Sequence, residues 1–331
     1  MGSTAQVTID SSQYPQAVRA DLLESLRTRR VNHKFHYDSY KQTQKWLRVH
    51  ECHSPFGREQ AGLSVYQNCF AEFASLADPG PYRLIGLGCG SGKKDAQLLG
   101  QLQPTARVTS YVPCDVSVAM VLIASQAVHE IRPSLPCSPT VFDLATVQDA
   151  AALLDVDAPK DPSIARIFTF FGMLPNFEPG DVLSKLAAVM RPDDYLLASA
   201  NLAPGSDYDA GVQQILPQYD NALTRDWLMT FLTDLGVQSS DGSMEFLVEQ
   251  QPTAPRLKRV AAYFRFARPR SVTLETDRFD FNPGDSIRLF FSYRHTLEVA
   301  GSLLGPHGLS VVRHWIDLSG EEGIFLVKKS G

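Results

Sequence analysis

The chain has 331 residues, 44% of them hydrophobic and 20% charged, a globular balance long enough for one elaborated α/β domain or two of ordinary size. A net charge of −5 supplies no basic field to hold a phosphate backbone, so nucleic acid is not an expected partner. No apolar run reaches the roughly 18 residues that cross a bilayer, and the polar opening from Met1 to Ser12 lacks an apolar signal core. The five cysteines (Cys52, Cys69, Cys89, Cys114, Cys137) form no CxxC pair, which fits a reducing compartment. These features imply a soluble cytoplasmic monomer or homodimer acting on a small molecule, with no membrane partner and no metal.

Apolar positions at helical spacing (Val18, Leu22, Leu23, Leu26) predict a helix over 14–30, and a second is expected from Phe56 to Leu76. After the break at Pro79-Gly80-Pro81, Arg83 to Leu87 reads as a short buried strand and Gly88 to Gly92 as a tight glycine turn opening a helix, Lys93 to Leu102. A strand from Arg107 to Val112 ends at Pro113-Cys114-Asp115, before a helix from Ser117 to His129 and a strand from Pro139 to Phe142. Ala165 to Phe171 is apolar nearly throughout, as a central parallel strand buried on both faces should be. A helix (Val182 to Met190) and a strand (Tyr195 to Ala200) follow.

This alternation predicts a doubly wound, Rossmann-like α/β sheet. Beyond residue 203 the pattern changes to a helical stretch (Val212 to Leu235) and three β-like runs, Leu257 to Phe266, Ser271 to Phe281 and Ser286 to Tyr293, the last two joined by the turn Asn282-Pro283-Gly284-Asp285. The expected organisation is an N-terminal lid segment (1–60), a Rossmann-like core (61–203), an inserted substrate-binding α+β subdomain (204–295), and a closing helix and strands (296–331).

Glycines in such a turn let the backbone approach a ligand, while the following helix offers free N–H groups. The stretch Gly86-Leu87-Gly88-Cys89-Gly90-Ser91-Gly92 fits neither the GxGxxG dinucleotide spacing nor a P-loop, because Lys93 is followed by Lys94 and Asp95. It does match the GxGxG type used with S-adenosylmethionine. Asp115, 23 residues beyond Gly92, ends the second strand where a carboxylate accepts from ribose hydroxyls; Asp143 ends the third, where one accepts from the adenine amine. Each aspartate also reads as a helix N-cap, but the three features in order on successive strands point to the cofactor.

The segments Lys34-Phe35-His36-Tyr37-Asp38, Leu87 to Lys94, Val112 to Val116, Phe171 to Phe177, Gln218 to Asn221, Leu289 to Tyr293 and His314-Trp315 resemble the histidine Nα-methyltransferases of the ergothioneine pathway and their relatives. The resemblance implies a class I methyltransferase fold with an inserted subdomain. It implies that Gly86, Gly88, Gly90, Lys94, Asp115 and Asp143 hold the cofactor. Tyr37, Asn176 and Tyr219 would grip an amino-acid head group, with Tyr37 and Asn176 positioning the reacting amine. Ser292 matches a serine of the family's substrate pocket, and Phe171 is a candidate for an apolar wall of that pocket, with an ordinary core position as the alternative.

Departures from the family matter as much. Histidine enzymes carry a glutamate two residues before the serine that matches Ser292, and here that position is Phe290. An unpaired buried imidazole would cost about 1–3 kcal/mol. Where the family has a Tyr-Tyr-Pro stretch this chain reads Glu51-Cys52-His53-Ser54-Pro55, so a substrate-facing tyrosine is missing unless His53 replaces it. His53 is also a candidate proton acceptor, since an unperturbed histidine titrates near neutrality. The expected activity is therefore N-methylation of an amino acid or amine with an apolar or aromatic side chain rather than histidine. The alternatives are an O, C or S acceptor, or a non-catalytic cofactor-binding protein.

Overall fold

The computed structural model describes residues 4–53, 60–102, 107–156, 164–251 and 257–330. A short strand β1 (Thr8–Ile9) precedes the helices α1 (Pro15–Thr28), α2 (Tyr40–His53) and α3 (Gln60–Leu76). The alternating core follows as β2 (Pro81–Leu87), α4 (Lys93–Leu102), β3 (Arg107–Asp115), α5 (Val118–Ile131), β4 (Thr140–Val141), α6 (Ala150–Asp155), β5 (Ala165–Phe170), α7 (Pro179–Val189) and β6 (Tyr195–Asn201). Two helices, α8 (Tyr208–Tyr219) and α9 (Ala222–Asp234), lead into β7 (Gly242–Gln250), β8 (Lys258–Phe266), β9 (Arg270–Leu274), β10 (Asp277–Phe281) and β11 (Ser286–Arg294). The chain ends with α10 (Leu297–Leu304), β12 (Leu309–Ile316) and β13 (Glu322–Lys329).

The main sheet has eight strands in the order β1-β4-β3-β2-β5-β6-β13-β12. All neighbours from β1 to β6 run parallel, whereas β13 is antiparallel to β6 and β12. The fold is the doubly wound α/β class. Its centre is apolar because both faces are covered. On β5, Phe168 and Phe170 point into one buried cluster and Ile167 into the other. Each such side chain contributes about 1.5–3 kcal/mol by leaving water.

A three-stranded antiparallel sheet, β11-β8-β7, is inserted between β6 and the closing strands. Its attachment is made of backbone. The His295 N–H donates to the Asn201 carbonyl at 2.8 Å, the Leu202 N–H to Glu321 at 2.7 Å, and the Ala203 N–H to His295 at 3.0 Å. The end of β11 is thereby fixed beside the carboxyl end of β6. The other edge of β11 takes the N-terminal segment, with Val31 N–H donating to Arg288 and Arg288 N–H to Arg29, both at 2.9 Å.

The predicted helix over Val212–Leu235 is two helices, because the Asn221 side chain accepts from the Thr224 N–H at 2.9 Å and starts a new one. The run Ser271–Phe281 is a hairpin, β9 and β10, reversing at Glu275 with φ 53°. The turn Asn282 to Asp285 joins β10 to β11, which lie in different sheets. Helix α2 escapes the sequence reading because its residues are mostly polar, and β7 despite alternating Met244, Phe246 and Val248.

Under the sheet, Arg166 is almost fully buried and donates from Nε to Asp194 Oδ2 at 3.0 Å and from Nη2 at 2.6 Å. Asp194→Ala removes both of these contacts and leaves Asp155, 3.6 Å from Nη1, as the remaining carboxylate partner among the described residues, so it should cost about 3–5 kcal/mol of unfolding free energy. Denaturant unfolding of the variant checks this, and a loss under about 1 kcal/mol would contradict it.

Candidate active site

The loop between β2 and α4 places three glycines in the left-handed region, Gly88 at φ 65°, Gly90 at 52° and Gly92 at 69°. Space as well as torsion requires them. A Cβ on Gly88 would meet Met173 at 2.5 Å, one on Gly90 would lie 3.1 Å from the Trp46 ring, and one on Gly92 would sit 2.5 Å from the Ala124 backbone. The Cys89 N–H donates to the Cys114 carbonyl at 2.9 Å, pinning the loop to β3. The loop floors a cavity of about 320 Å³ at the carboxyl ends of the strands.

One half of the cavity is built by β3, β4 and α5. Asp115 accepts from the Gly90 N–H at 3.2 Å and from the Ser117 N–H at 3.1 Å, and burial pushes its carboxyl up to about 6. Val116, Met120, Phe142 and Leu144 make an apolar slot beside it. Lys94 lines the same half, donating to the Tyr66 hydroxyl at 2.7 Å and lying 3.8 Å from Glu322. Burial lowers its pKa, and the Glu322 charge opposes that shift.

The other half is roofed by α2 and the segment before it. Trp46, Val49, His50 and His53 line it from α2, and Tyr37 from the preceding turn. The Tyr37 ring packs against Trp46 at 5.9 Å and Trp227 at 5.5 Å. Burial, and then the charge of Asp115, push its phenol well above the ordinary tyrosine value, so it stays protonated. His50 lies 5.0 Å from Trp46 and burial lowers it to about 3, which keeps the imidazole neutral. The wall opposite comprises Phe171, Asn176, Tyr219 and Phe290. Asn176 donates to the Phe291 carbonyl at 3.0 Å, leaving its Oδ1 without a partner among the described residues.

Ten of the residues singled out in the sequence line this one cavity: Tyr37, His53, Gly88, Gly90, Lys94, Asp115, Phe171, Asn176, Tyr219 and Phe290. Three do not. Gly86 lies beneath the loop, where a Cβ would be 2.3 Å from the Asp95 carboxylate; it makes room for Asp95 rather than facing a ligand. Ser292 is one layer back, accepting from the Tyr219 hydroxyl at 2.9 Å and from Asn201 at 3.1 Å. Asp143 sits between the lining residues Phe142 and Leu144; its Oδ1 accepts from the Ala145 N–H at 2.8 Å, while Oδ2 is 3.7 Å from Lys34 Nζ. Ser54 and Pro55 lie outside the described residues. His33 and His36 serve the roof: His36 donates to the Leu289 carbonyl at 2.7 Å and His33 accepts from the Phe291 N–H at 3.4 Å.

The sequence reading missed Trp46, Asp95, Trp227 and Arg294, all of which line the cavity. Asp95 accepts from Tyr111 at 2.6 Å and Thr169 at 2.7 Å, bracing the strands under the loop. The signal for Arg294 was its place two residues after Ser292 on one strand face.

The donors and acceptors fit an adenosyl ligand. Asp115 is a half-buried acceptor on the cavity wall, held by the Gly90 and Ser117 N–H groups, whereas Asp143 lies behind the wall with its Oδ2 turned to Lys34. Beside Asp115 lies the apolar slot, and Gly88 and Gly90 present backbone on the cavity wall. Comparison with known proteins decides the matter, since a family model for histidine-specific, S-adenosylmethionine-dependent methyltransferases matches residues 18–329. The chain belongs to this family. It is an S-adenosylmethionine-dependent methyltransferase with a class I fold.

Two relatives cover most of both chains. One is the N-methyltransferase imqF of Aspergillus flavus, 25% identical over 81% of this chain and 72% of its own. The other is a histidine N-alpha-methyltransferase of Mycobacterium tuberculosis, 23% identical over 74% of this chain and 75% of its own. Among solved structures, the Synechocystis magnesium protoporphyrin IX methyltransferase with bound S-adenosylhomocysteine superposes with a TM-score of 0.47 at 14% identity, covering 89% of this chain and 97% of that one. No helix of the described residues is long and apolar enough to cross a membrane.

Hydroxyl donors of a bound nucleoside would favour the ionised Asp115, so the complex should have a lower Asp115 pKa than the free protein, where burial raises it to about 6. S-adenosylhomocysteine affinity should be full above that pH and fall as pH drops through it, by up to about tenfold per unit. In calorimetric titration, Asp115→Asn should bind weakly with a flat profile. A variant that keeps wild-type affinity, or the wild-type pH profile, would remove Asp115 from the cofactor site.

Proposed function

We propose that this methyltransferase N-methylates an amino acid or amine whose side chain is apolar or aromatic, and that histidine is not its substrate. The observation that carries the reading is the wall around Phe290. Its ring lies 5.7 Å from Trp227, 6.3 Å from Tyr219 and 5.1 Å from His33, stacked on the last. Phe290 stands where the histidine enzymes carry the glutamate that would hold an imidazole. An aromatic ring packed among these neighbours contributes about 0.5–1.5 kcal/mol beyond its buried area. The Aspergillus flavus relative is an N-methyltransferase, which supports a nitrogen acceptor.

S-adenosylmethionine, when bound, would supply a methyl group from its sulfonium sulfur, and Gly88, Gly90, Lys94 and Asp115 would hold it. The remaining work is positioning, which is worth up to about 7–11 kcal/mol when two reactants are aligned. Asn176 Oδ1 accepts an N–H of the acceptor amine, because the amide nitrogen is already committed to Phe291. The Tyr37 hydroxyl, kept protonated by burial, serves as a second hydrogen-bonding group for that amine and not as a base. Trp46, Trp227 and Phe290 exclude water from the approach. His53, at the end of α2, lies on the cavity wall where a departing proton can be taken up.

Incubating the enzyme with S-adenosylmethionine and a panel of aromatic amines, phenols and thiols, then locating the methyl by fragment mass spectrometry, tests the reading. Methyl on nitrogen is expected; products methylated only on oxygen or sulfur would overturn it. Phe290→Glu restores a carboxylate to the wall. It should lower turnover of aromatic substrates at least about tenfold while raising that of histidine, since a buried ring cannot replace a charged hydrogen bond.

A further inference from the structure

Lys94 and Glu322 stand together on the cavity wall, one at the start of α4 and the other at the start of the closing strand β13. Glu322 is buried and anchored through backbone. Its N–H donates to Asp317 Oδ1 at 3.0 Å, and β13 sets it opposite Asn201 of β6. Tyr66, fully buried on α3, donates its hydroxyl to Glu322 Oε1 and accepts from Lys94 Nζ at 2.7 Å. The ammonium lies 3.8 Å from the carboxylate, beyond hydrogen-bond range, with one hydroxyl bonded to both. Neighbouring charges are committed elsewhere. Lys93 is exposed and lies 3.5 Å from Glu51, Asp95 accepts from Tyr111 and Thr169, and both Glu321 oxygens accept from Gln218.

A lysine in the first turn of a helix works against the helix dipole, and a carboxylate buried near it without contact recovers little of the desolvation cost. As a brace for the fold the pair is poor. As a receptor it is apt: a fixed cation and a fixed anion, held apart, match the carboxylate and the ammonium at the amino-acid end of S-adenosylmethionine. We infer that Glu322 binds the ammonium of that end while Lys94 binds its carboxylate, with Tyr66 as the positioning residue that spaces them. The pair carries no net charge, and neither does the group it takes. These contacts involve the cofactor alone, whatever the acceptor is. They also give β13 a direct part in the site, beyond completing the sheet.

Calorimetric titration of the full chain with four adenosyl thioethers tests this: S-adenosylhomocysteine, its decarboxylated analogue, its deaminated analogue, and methylthioadenosine, which lacks both groups. Weak binders are measured by competition. The wild type should bind S-adenosylhomocysteine at least about tenfold more tightly than either singly truncated analogue, the effect of one charge-assisted contact. Glu322→Gln should weaken the two ligands that keep the amine at least about tenfold and should not weaken the other two. Lys94→Met should do the same to the two that keep the carboxylate. A merely structural role cannot produce this crossed loss. An equal loss across all four ligands overturns the assignment, as does an unchanged amine preference in Glu322→Gln or an unchanged carboxylate preference in Lys94→Met. Wild-type binding of methylthioadenosine as tightly as S-adenosylhomocysteine also overturns it. If a single variant fails to fold because its partner charge is stranded, the double variant Lys94→Met/Glu322→Gln strands none. In it S-adenosylhomocysteine should bind no more than about threefold more tightly than methylthioadenosine, and a larger preference refutes the pair. None of these ligands is a methyl acceptor, so failure here leaves the reading of the Phe290 wall untouched.

Discussion

The two backbone hydrogen bonds between the N-terminal segment and the edge of β11, at Arg29, Val31 and Arg288, hold the roof of the site in place. A doubly wound sheet ends in a crater at its carboxyl edge, and an open crater cannot keep water from a transferring methyl group. The edge of β11 offers unpaired donors and acceptors, and the segment satisfies them as an added strand would. Every roof contact follows from that attachment. His36 bonds to Leu289, its own carbonyl accepts from Trp227 at 2.8 Å, and Tyr37 arrives beside Asp115 and Trp46.

The cavity has two halves with different origins. The half at the glycine loop is made from the Rossmann-like core alone, and Asp115 and the apolar slot beside it suit a nucleoside. The other half is assembled from α2, β11, α8 and α9, elements far apart in sequence, together with the loop after β5 that carries Phe171 and Asn176. This division lets the acceptor change while the cofactor site stays fixed. A single strand position, Phe290, sets the chemistry of one wall without touching the loop.

How much of this was legible depended on how local each signal was. The strand, the glycine turn and Asp115 lie within one stretch of chain, and periodicity and spacing suffice to read them. Two closing strands were expected from the apolar runs at the end of the chain, but their order, β13 beside β6 with β12 at the edge, was not. By contrast, Trp46 and Trp227 come to the same cavity, each against Tyr37, only after α2 packs on α9, an arrangement no local pattern encodes. Arg294 looked like an ordinary strand residue because its meaning comes from carbonyls of Leu202 and Glu321, in other parts of the chain. Gly86 misled for the opposite reason. Its place in the glycine motif suggests a ligand contact, but the space it leaves is filled by Asp95.

The central claim is that the acceptor wall selects an apolar or aromatic side chain over an imidazole. Direct competition measures it: equimolar L-histidine and a mixture of aromatic L-amino acids, saturating S-adenosylmethionine, and the ratio of kcat/KM values from the methylated products. The expected result favours an aromatic substrate by at least about tenfold, the cost of leaving the imidazole unpaired. Histidine consumed at an equal or greater rate would contradict the account and return the pocket to the imidazole chemistry of the family.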